Sequence, residues 1–420
     1  MFLWICARRY EPANKCFKMS RFQVSKLATF NGAENFIERR GLDKFGVGVL
    51  VVAAVVALFG DSAITRLSAG YLVAFMFFLS ISLGAMFFVI LHHLVGSTWS
   101  VAIRRVAELL MAPITLLGVL SLPILVPLLL GGAELYSWNN AELRVTDPLV
   151  AGKTPYLNAP FFVLRCMFYF AAWAGIAAYF SRLSRRQDEV LGPELTERMR
   201  RSSGPAMLAF AATVNFAAFD LLMSLDPHWF SSIFGIYFFA GCAVAIFATL
   251  PIVLFIAQRY GRMCTEVTVE HYHDLGKLLF GFTCFWGYIA FSQYILIWYA
   301  NIPEETLWYA ARQKGVWAAI SLALILGHFV LPFFGMMSRK VRRNRTVLVG
   351  WACVLLAMHW VDLIWLVLPS VKVGPGIVQL LCFIGLGSLW IATVLREMTS
   401  SRLVPLGDPS LPDSIRFHAE

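Results

Sequence analysis

Ten apolar runs, most of them long enough to span a bilayer, dominate this sequence. They lie at roughly 45–60, 68–95, 101–130, 160–181, 204–226, 231–258, 276–300, 314–337, 346–368 and 374–396. A helix needs about 20 apolar residues to cross a hydrocarbon core about 30 Å thick, so the predicted fold is an all-α polytopic membrane protein. Composition agrees. Hydrophobic residues make up 59% of the 420, charged residues 14%, and the mean hydropathy is +0.69, whereas soluble domains run about 45–50% apolar and about 25% charged. A water-soluble chain of this length could not hide so much apolar surface. Disorder, a disulfide scaffold and a nucleic-acid module are excluded as readings of the whole chain.

Ten spans return the chain to the side on which it began. The first run is short. The third is long and carries Pro113, Pro123 and Pro127, which are expected to kink or break it. The net charge of +10 acquires meaning once the cations are sorted by side. Arg182, Arg185, Arg186, Arg198, Arg200 and Arg201, with Arg339, Lys340, Arg342, Arg343 and Arg345, fall on the side of the termini. The opposite side holds only Arg66, Arg144, Lys153, Arg165, Arg312, Lys314 and Lys372. Basic loops mark the cytoplasm, which predicts two cytoplasmic termini. The domain reading is a basic N-terminal tail (1–44), a membrane domain (45–396) and a C-terminal tail (397–420). The first tail has no removable signal peptide and reads as an anchor to anionic lipid or to the cytoplasmic side.

Two spans share a pattern. Span five ends in Asp220-Leu221-Leu222 with Pro227, and span nine in Asp362-Leu363-Ile364 with Pro369. Each aspartate stands roughly 24 Å above its helix start at 1.5 Å per residue. The pattern predicts parallel repeats. Residues 68–226 and 231–368 then form two four-helix bundles (spans two to five and six to nine), with spans one and ten peripheral.

Other chemistries lack their signatures. The eight cysteines (Cys6, Cys16, Cys166, Cys242, Cys264, Cys284, Cys353 and Cys382) include no C-x-x-C pair. That withdraws support for zinc ribbons, iron–sulfur ligation and attached c-type haem. Most are expected to be small buried apolar residues. No Walker loop or dinucleotide fingerprint is present. A membrane b-type haem needs two histidines facing each other at one depth. The mid-span histidines, His328 and His359, are expected to differ in height by roughly 10 Å, which speaks against a haem between them. No catalytic, metal or cofactor residue is assigned to this chain.

Ionisable groups inside the spans are the functional candidates, because placing one in hydrocarbon costs at least about 2.5–3.5 kcal/mol. Toward the cytoplasm these are His92, His93 and Glu108. His328 lies deeper, Asp220, His359 and Asp362 lie toward the outside, and Asp226 and His228 sit at the outer rim. Carboxylates and imidazoles at staggered depths can pass protons. Each also has a plainer reading: headgroup contact for His92 and His93, a turn at Asp226-Pro227, interhelical hydrogen bonds for the others. The outer loop 131–159 is long enough to dock a partner. His271 and His273 are expected in a cytoplasmic connector, with Asp274 capping span seven. Trp298, Tyr299, Trp308 and Tyr309 fit an interfacial aromatic belt.

Three stretches carry a resemblance: LDPHWFSSIFGIYFFAG (225–241), YHDLGKLLFGFTCFWGYIAFSQYILIWYANIPEETLWY (272–309) and the arginine-rich segment before span five. They resemble the NrfD or polysulfide-reductase family of membrane subunits, most closely the ActF-type subunit of bacterial alternative complex III. The resemblance runs through spans two to ten and implies two four-helix bundles. It also implies a respiratory quinol:electron-acceptor oxidoreductase of the bacterial cytoplasmic membrane. The implied partners are a second NrfD-like membrane subunit, an iron–sulfur subunit, c-type cytochrome subunits and a terminal oxidase. Iron–sulfur clusters and haems belong to those partners, and menaquinol or another quinol is the implied small ligand. The companion NrfD-like subunit is the one credited with the quinol site, so no quinone residue is transferred here. Three functions follow as expectations. The first is a scaffold conducting protons through Asp220, Asp362 and the histidines. The second is a subunit binding quinol near Asp226 and His228. The third is a secondary transporter, which would show helices broken by Gly or Pro in both halves.

Overall fold

The computed structural model describes residues 41–59, 62–190 and 192–417. Most of the basic tail expected at 1–44 therefore lies outside the described residues. Among the described residues there are helices and connectors but no strand. Nine helices are long and apolar enough to cross a membrane: α2 Ala63–Leu94, α3 Val101–Leu129, α4 Ala159–Gln187, α5 Glu194–Leu225, α6 Phe234–Arg259, α7 Val269–Ala300, α8 Val316–Met336, α9 Arg345–Val367 and α10 Ile377–Ser400. Before them comes α1, Leu42–Leu58, an apolar helix of 17 residues. The chain is a multi-pass helical membrane protein. Asp43 at the start of α1 pairs with Arg396 near the end of α10, so both ends of the helical domain share one face, here termed the terminal face.

Local chemistry sets the helix ends and breaks. Asn158 and Asn344 cap α4 and α9, each accepting from backbone amides of the first turn, the role for which a short side-chain oxygen is suited. Asn301 ends α7 with φ 50°. Helix α3 is interrupted after Met111 and again at Ser121, beside Pro113 and Pro123. Helix α8 contains a π segment, Ile325–Val330, directly before Pro332. Proline has no N–H to continue the ladder, and an extra residue in the turn is one way a helix absorbs that loss.

Two groups of four helices meet at the centre. Helix α2 packs against α3 and α5, with α4 on α3 and α5; α6 packs against α7 and α9, with α8 on α7 and α9. Helices α2 and α6 are the contact between the groups and the most buried of the spans. A helix apolar on every side must be covered on every side, and α2 is. Helices α1 and α10 pair outside, with α10 lying on α2. Gly46 and Gly385 bring α1 and α10 together, and Trp390 Nε1 donates to Ser82 Oγ at 2.9 Å across the α10–α2 contact.

Three expected boundaries move. Helix α7 begins at Val269, so His271, Tyr272, His273 and Asp274 lie on its first turns and not in a connector. Its cap is Thr268, in a reciprocal pair with the His271 side chain. Helices α4 and α5 extend well past their apolar runs, carrying Arg182, Arg185, Arg186, Arg198, Arg200 and Arg201 on helix. Polar ends of membrane helices continue past the hydrocarbon, where hydropathy no longer marks them.

The α2–α6 approach yields a test. A Cβ on Gly84 would stand 2.2 Å from the Cys242 carbonyl oxygen and 2.9 Å from Ile246 Cβ. Gly84→Ala gains about 1 kcal/mol of helix propensity, but overpacking costs about 1–3 kcal/mol and a rigid backbone oxygen cannot yield. The variant is expected to melt at lower temperature in detergent than the wild type, whereas Gly175→Ala, with open space around it, should not.

Candidate functional site

The two matched aspartates have different surroundings. Asp220, fully buried on α5, is gripped by Arg165 of α4. Arg165 Nε donates to Oδ2 at 2.8 Å and Nη2 to Oδ1 at 2.8 Å. Tyr169 adds its hydroxyl to Oδ2 at 2.7 Å. The guanidinium lies 3.8 Å from the centre of the Tyr156 ring and donates to the Tyr156 carbonyl at 2.9 Å. Such a forked, stacked pair is a fixed charge couple. Asp220 is a structural anchor and not a free carboxyl group.

Asp362, at 1% exposure on α9, has no ion-pair partner among the described residues. Tyr237 of α6 donates to its Oδ1 at 2.5 Å. The Trp286 and His328 rings lie with centres 3.9 Å apart, tilted by 31°, and the His328 and His359 rings are 6.4 Å apart. His359 Nε2 lies 2.8 Å from Ser80 Oγ of α2. Ser80 already donates to the Phe77 carbonyl at 2.7 Å, so His359 must donate to Ser80. That places its proton on Nε2 and leaves Nδ1 as a bare acceptor. Neither nitrogen of His328 nor Nδ1 of His359 has a protein partner. Gly241 makes the room, since a Cβ there would meet His359 Cε1 at 2.8 Å.

This proximity corrects the expected height difference of roughly 10 Å between the two histidines, which assumed coplanar helix starts and a uniform rise of 1.5 Å per residue. Helix α8 does not meet the second condition, because His328 sits within its π segment. The mismatch therefore carries no weight against a pairing of these rings.

At the terminal end of the first group lies a second cluster. Arg105 of α3 donates to Ser184 Oγ at 3.1 Å and Ser184 O at 2.8 Å, and pairs with Asp188 at 3.0 Å. Its Nε is also 3.2 Å from Glu108, whose carboxylate oxygens have no hydrogen-bond partner. His92 and His93 are buried within the protein. His92 Nδ1 is 2.8 Å from the Phe88 carbonyl, and His93 faces Phe180. This cluster and the Asp362 cluster are separate in the structure, with no chain of hydrogen bonds joining them among the described residues.

The opposite rim is folded down. Loop 131–159 packs Tyr136 and Trp138 into the core and carries two short helices, Ala141–Thr146 and Pro148–Lys153. His228 Nε2 lies 2.5 Å from Asp147 Oδ2, joining this loop to the α5–α6 connector. Asp226 and Lys153 line a cavity of about 350 Å³ whose other walls include Tyr156, Phe219, Met223 and Trp229. His228 is not part of that lining but borders it, with Nε2 on Asp147 and Nδ1 3.8 Å from Asp226 Oδ1. The expected aromatic belt divides: Trp298 and Tyr299 are exposed, whereas Trp308 is buried, stacked 4.2 Å from Trp229 and 3.4 Å from the Arg312 guanidinium. Of the six cysteines among the described residues, only Cys166, Cys242 and Cys382 are buried. No group of three metal-ligating side chains occurs among the described residues.

Sequence reasoning found the acids and histidines but not their partners Arg165, Tyr169, Tyr237 and Ser80. None stands at a fixed spacing from the residue it serves. Arg165 carried a faint signal, as a cation close to an apolar run on the cation-poor side.

Two outcomes are expected. Arg165→Gln leaves the Asp220 charge buried and unmatched, which costs about 3–5 kcal/mol. Asp220→Asn combined with Arg165→Gln should recover part of that loss in thermal melts. At the rim, the hydrogen bond from His228 holds the Asp147 carboxyl below its ordinary range. A lowered carboxyl pKa contributes stability above the ordinary value, about 3.9, that is lost as pH falls through the lower folded value. Pepsin cleavage within 141–157 should therefore begin at higher pH in His228→Ala than in the wild type. The chain matches no family model and no curated protein, which leaves the chemistry of these clusters to speak for the function.

Proposed function

We propose that this chain is a membrane subunit of a respiratory quinol:electron-acceptor oxidoreductase of the alternative complex III type, with both termini cytoplasmic. It scaffolds an iron–sulfur subunit, c-type cytochrome subunits and a second NrfD-like subunit, and it conducts protons through the second helix group. The observation that carries the proton reading is the contrast between the matched aspartates. Asp220 is tied to a guanidinium, while Asp362 accepts from the Tyr237 hydroxyl beside the Trp286 side chain, without an ion-pair partner among the described residues, and lies in the same core as two histidines whose ring nitrogens are largely unpartnered. A buried carboxyl without a counter-charge beside neutral imidazoles is suited to take up and release a proton. Two of the three stretches that carry the family resemblance meet in this second group as well. Trp229 stacks on Trp308, and Tyr237 lies 5.8 Å from Trp286 between ring centres.

Asp362→Asn is expected to lower the proton-to-electron ratio of the purified assembly by at least half while quinol oxidation continues. Asp220→Asn should lower stability and leave that ratio unchanged. Equal ratios in the wild type and Asp362→Asn would remove the second group from the path. Purification without haem and iron–sulfur subunits would end the assignment to such a complex.

One observation favours a second reading, in which this chain itself holds a quinol. The cavity beside Asp226 has the size of a small-ligand pocket, where about 300–1,000 Å³ is usual, and its walls are mostly apolar and rich in aromatic rings, with Lys153, Ser224 and Asp226 among the polar groups. A photoreactive quinone should then label residues 216–230, and labelling confined to the companion subunit would exclude it. A transporter is less well supported, because the broken helices are α3 and α8, which hold different places in their two groups.

A further inference from the structure

The chain does not trail away after α10. Residues 401–417 run back across the terminal face with Leu403, Val404 and Leu411 buried. Asp408 pairs with Arg104 of α3, and both side chains are almost inaccessible. Ser414 Oγ donates to the Trp99 carbonyl at 2.7 Å and accepts from the Ala102 amide at 3.1 Å, satisfying one of the donors that a first helical turn leaves free. The same hydroxyl lies 3.5 Å from His271 Nε2 on α7, and Phe417 faces the His271 ring at 6.2 Å. Gly407 lies so close to the end of α4 that a Cβ would stand 1.7 Å from the Gln187 carbonyl oxygen. The segment thus fastens onto both helix groups.

Beneath it lies the Arg105–Glu108–Asp188 cluster. Glu108 is ion-paired with Arg105, but its oxygens, with His93 Nε2, Arg104 Nε, Gln187 Oε1 and Ser401 Oγ, are buried without a hydrogen-bond partner among the described residues. Buried polar atoms in that condition are sites for water. The segment that shuts them off contains one helix of five residues, Leu411–Ile415, too short to persist by itself. It is held by one ion pair, one bridging hydroxyl and a few apolar side chains, the kind of element that opens locally while the core stays folded.

The geometry points to residues 401–417 as a closing strap over the Glu108 cluster, latched by Asp408 on Arg104 and by Ser414 on α3, whose release admits water from the terminal face to Glu108. This is independent of whether protons cross the second group.

The test is carboxyl footprinting with a water-soluble carbodiimide and an amine, on the full chain in lipid nanodiscs, read by mass spectrometry. Glu108 should be nearly unmodified in the wild type and modified at least tenfold more in Asp408→Asn, with hydrogen exchange of α2 and α6 unchanged. Unchanged Glu108 modification in a folded Asp408→Asn protein would overturn the strap. Should that variant fail to fold, hydrogen exchange on the wild type decides. The Ala102 amide, bonded to Ser414, is expected to exchange in step with residues 403–416. Full protection of Ala102 while those residues exchange freely refutes the latch.

Discussion

The close crossing of α2 and α6 governs the rest of this molecule. In hydrocarbon there is no hydrophobic drive between apolar helices, so association rests on how nearly two backbones can approach and on the polar contacts made across the gap. Gly84 lets α2 come against the Cys242 carbonyl of α6. That contact joins the two helix groups, buries α2 on all sides, and brings Ser80 of one group within reach of His359 of the other. Gly235 does the same service for α5 and α6, where a Cβ would collide with Asn215 Oδ1 at 1.6 Å. Small residues at crossings set which polar side chains can meet.

The two helix groups share a sequence pattern at their aspartates but not its chemistry. Arg165 and Arg312 both stand near the outer ends of their groups, yet they do different work. Arg165 neutralises Asp220. Arg312 is buried against Trp308 and Trp365 and donates to the carbonyls of Trp365 at 3.1 Å and Leu366 at 2.9 Å, capping the end of α9. Placing a cation on helix-terminal carbonyls uses the negative end of the helix dipole and leaves Asp362 without a counter-charge. The difference between the surroundings of the two aspartates comes down to where one guanidinium points.

Much of the architecture was legible because hydropathy and the bilayer thickness bound the answer tightly. Apolar runs located the helices, and prolines located the break in α3. What stayed hidden falls into two kinds. Helix ends beyond the hydrocarbon, such as 269–275 and 182–187, look like any polar segment and were read as connectors. Side-chain partners such as Tyr237 for Asp362, or Asp408 for Arg104, lie far apart in sequence and meet only through tertiary contact, so no spacing rule could expose them. Heights counted along helices also failed at His328, since a count presumes regular winding.

That winding has a consequence for α8. A π turn holds one residue more than the α-helix on either side of it, so the two halves of α8 are phased independently. The π segment itself sets Gly327 against Met358 and turns His328 toward Trp286, while the half after it sets Gly335 against Trp351. A plain α-helix advances about 100° per residue, so loss of a single residue within 325–330 would rotate one half out of its contacts whichever half stayed in place. For this stretch, length is as much a specified property as side-chain identity, and a substitution is better tolerated than a deletion.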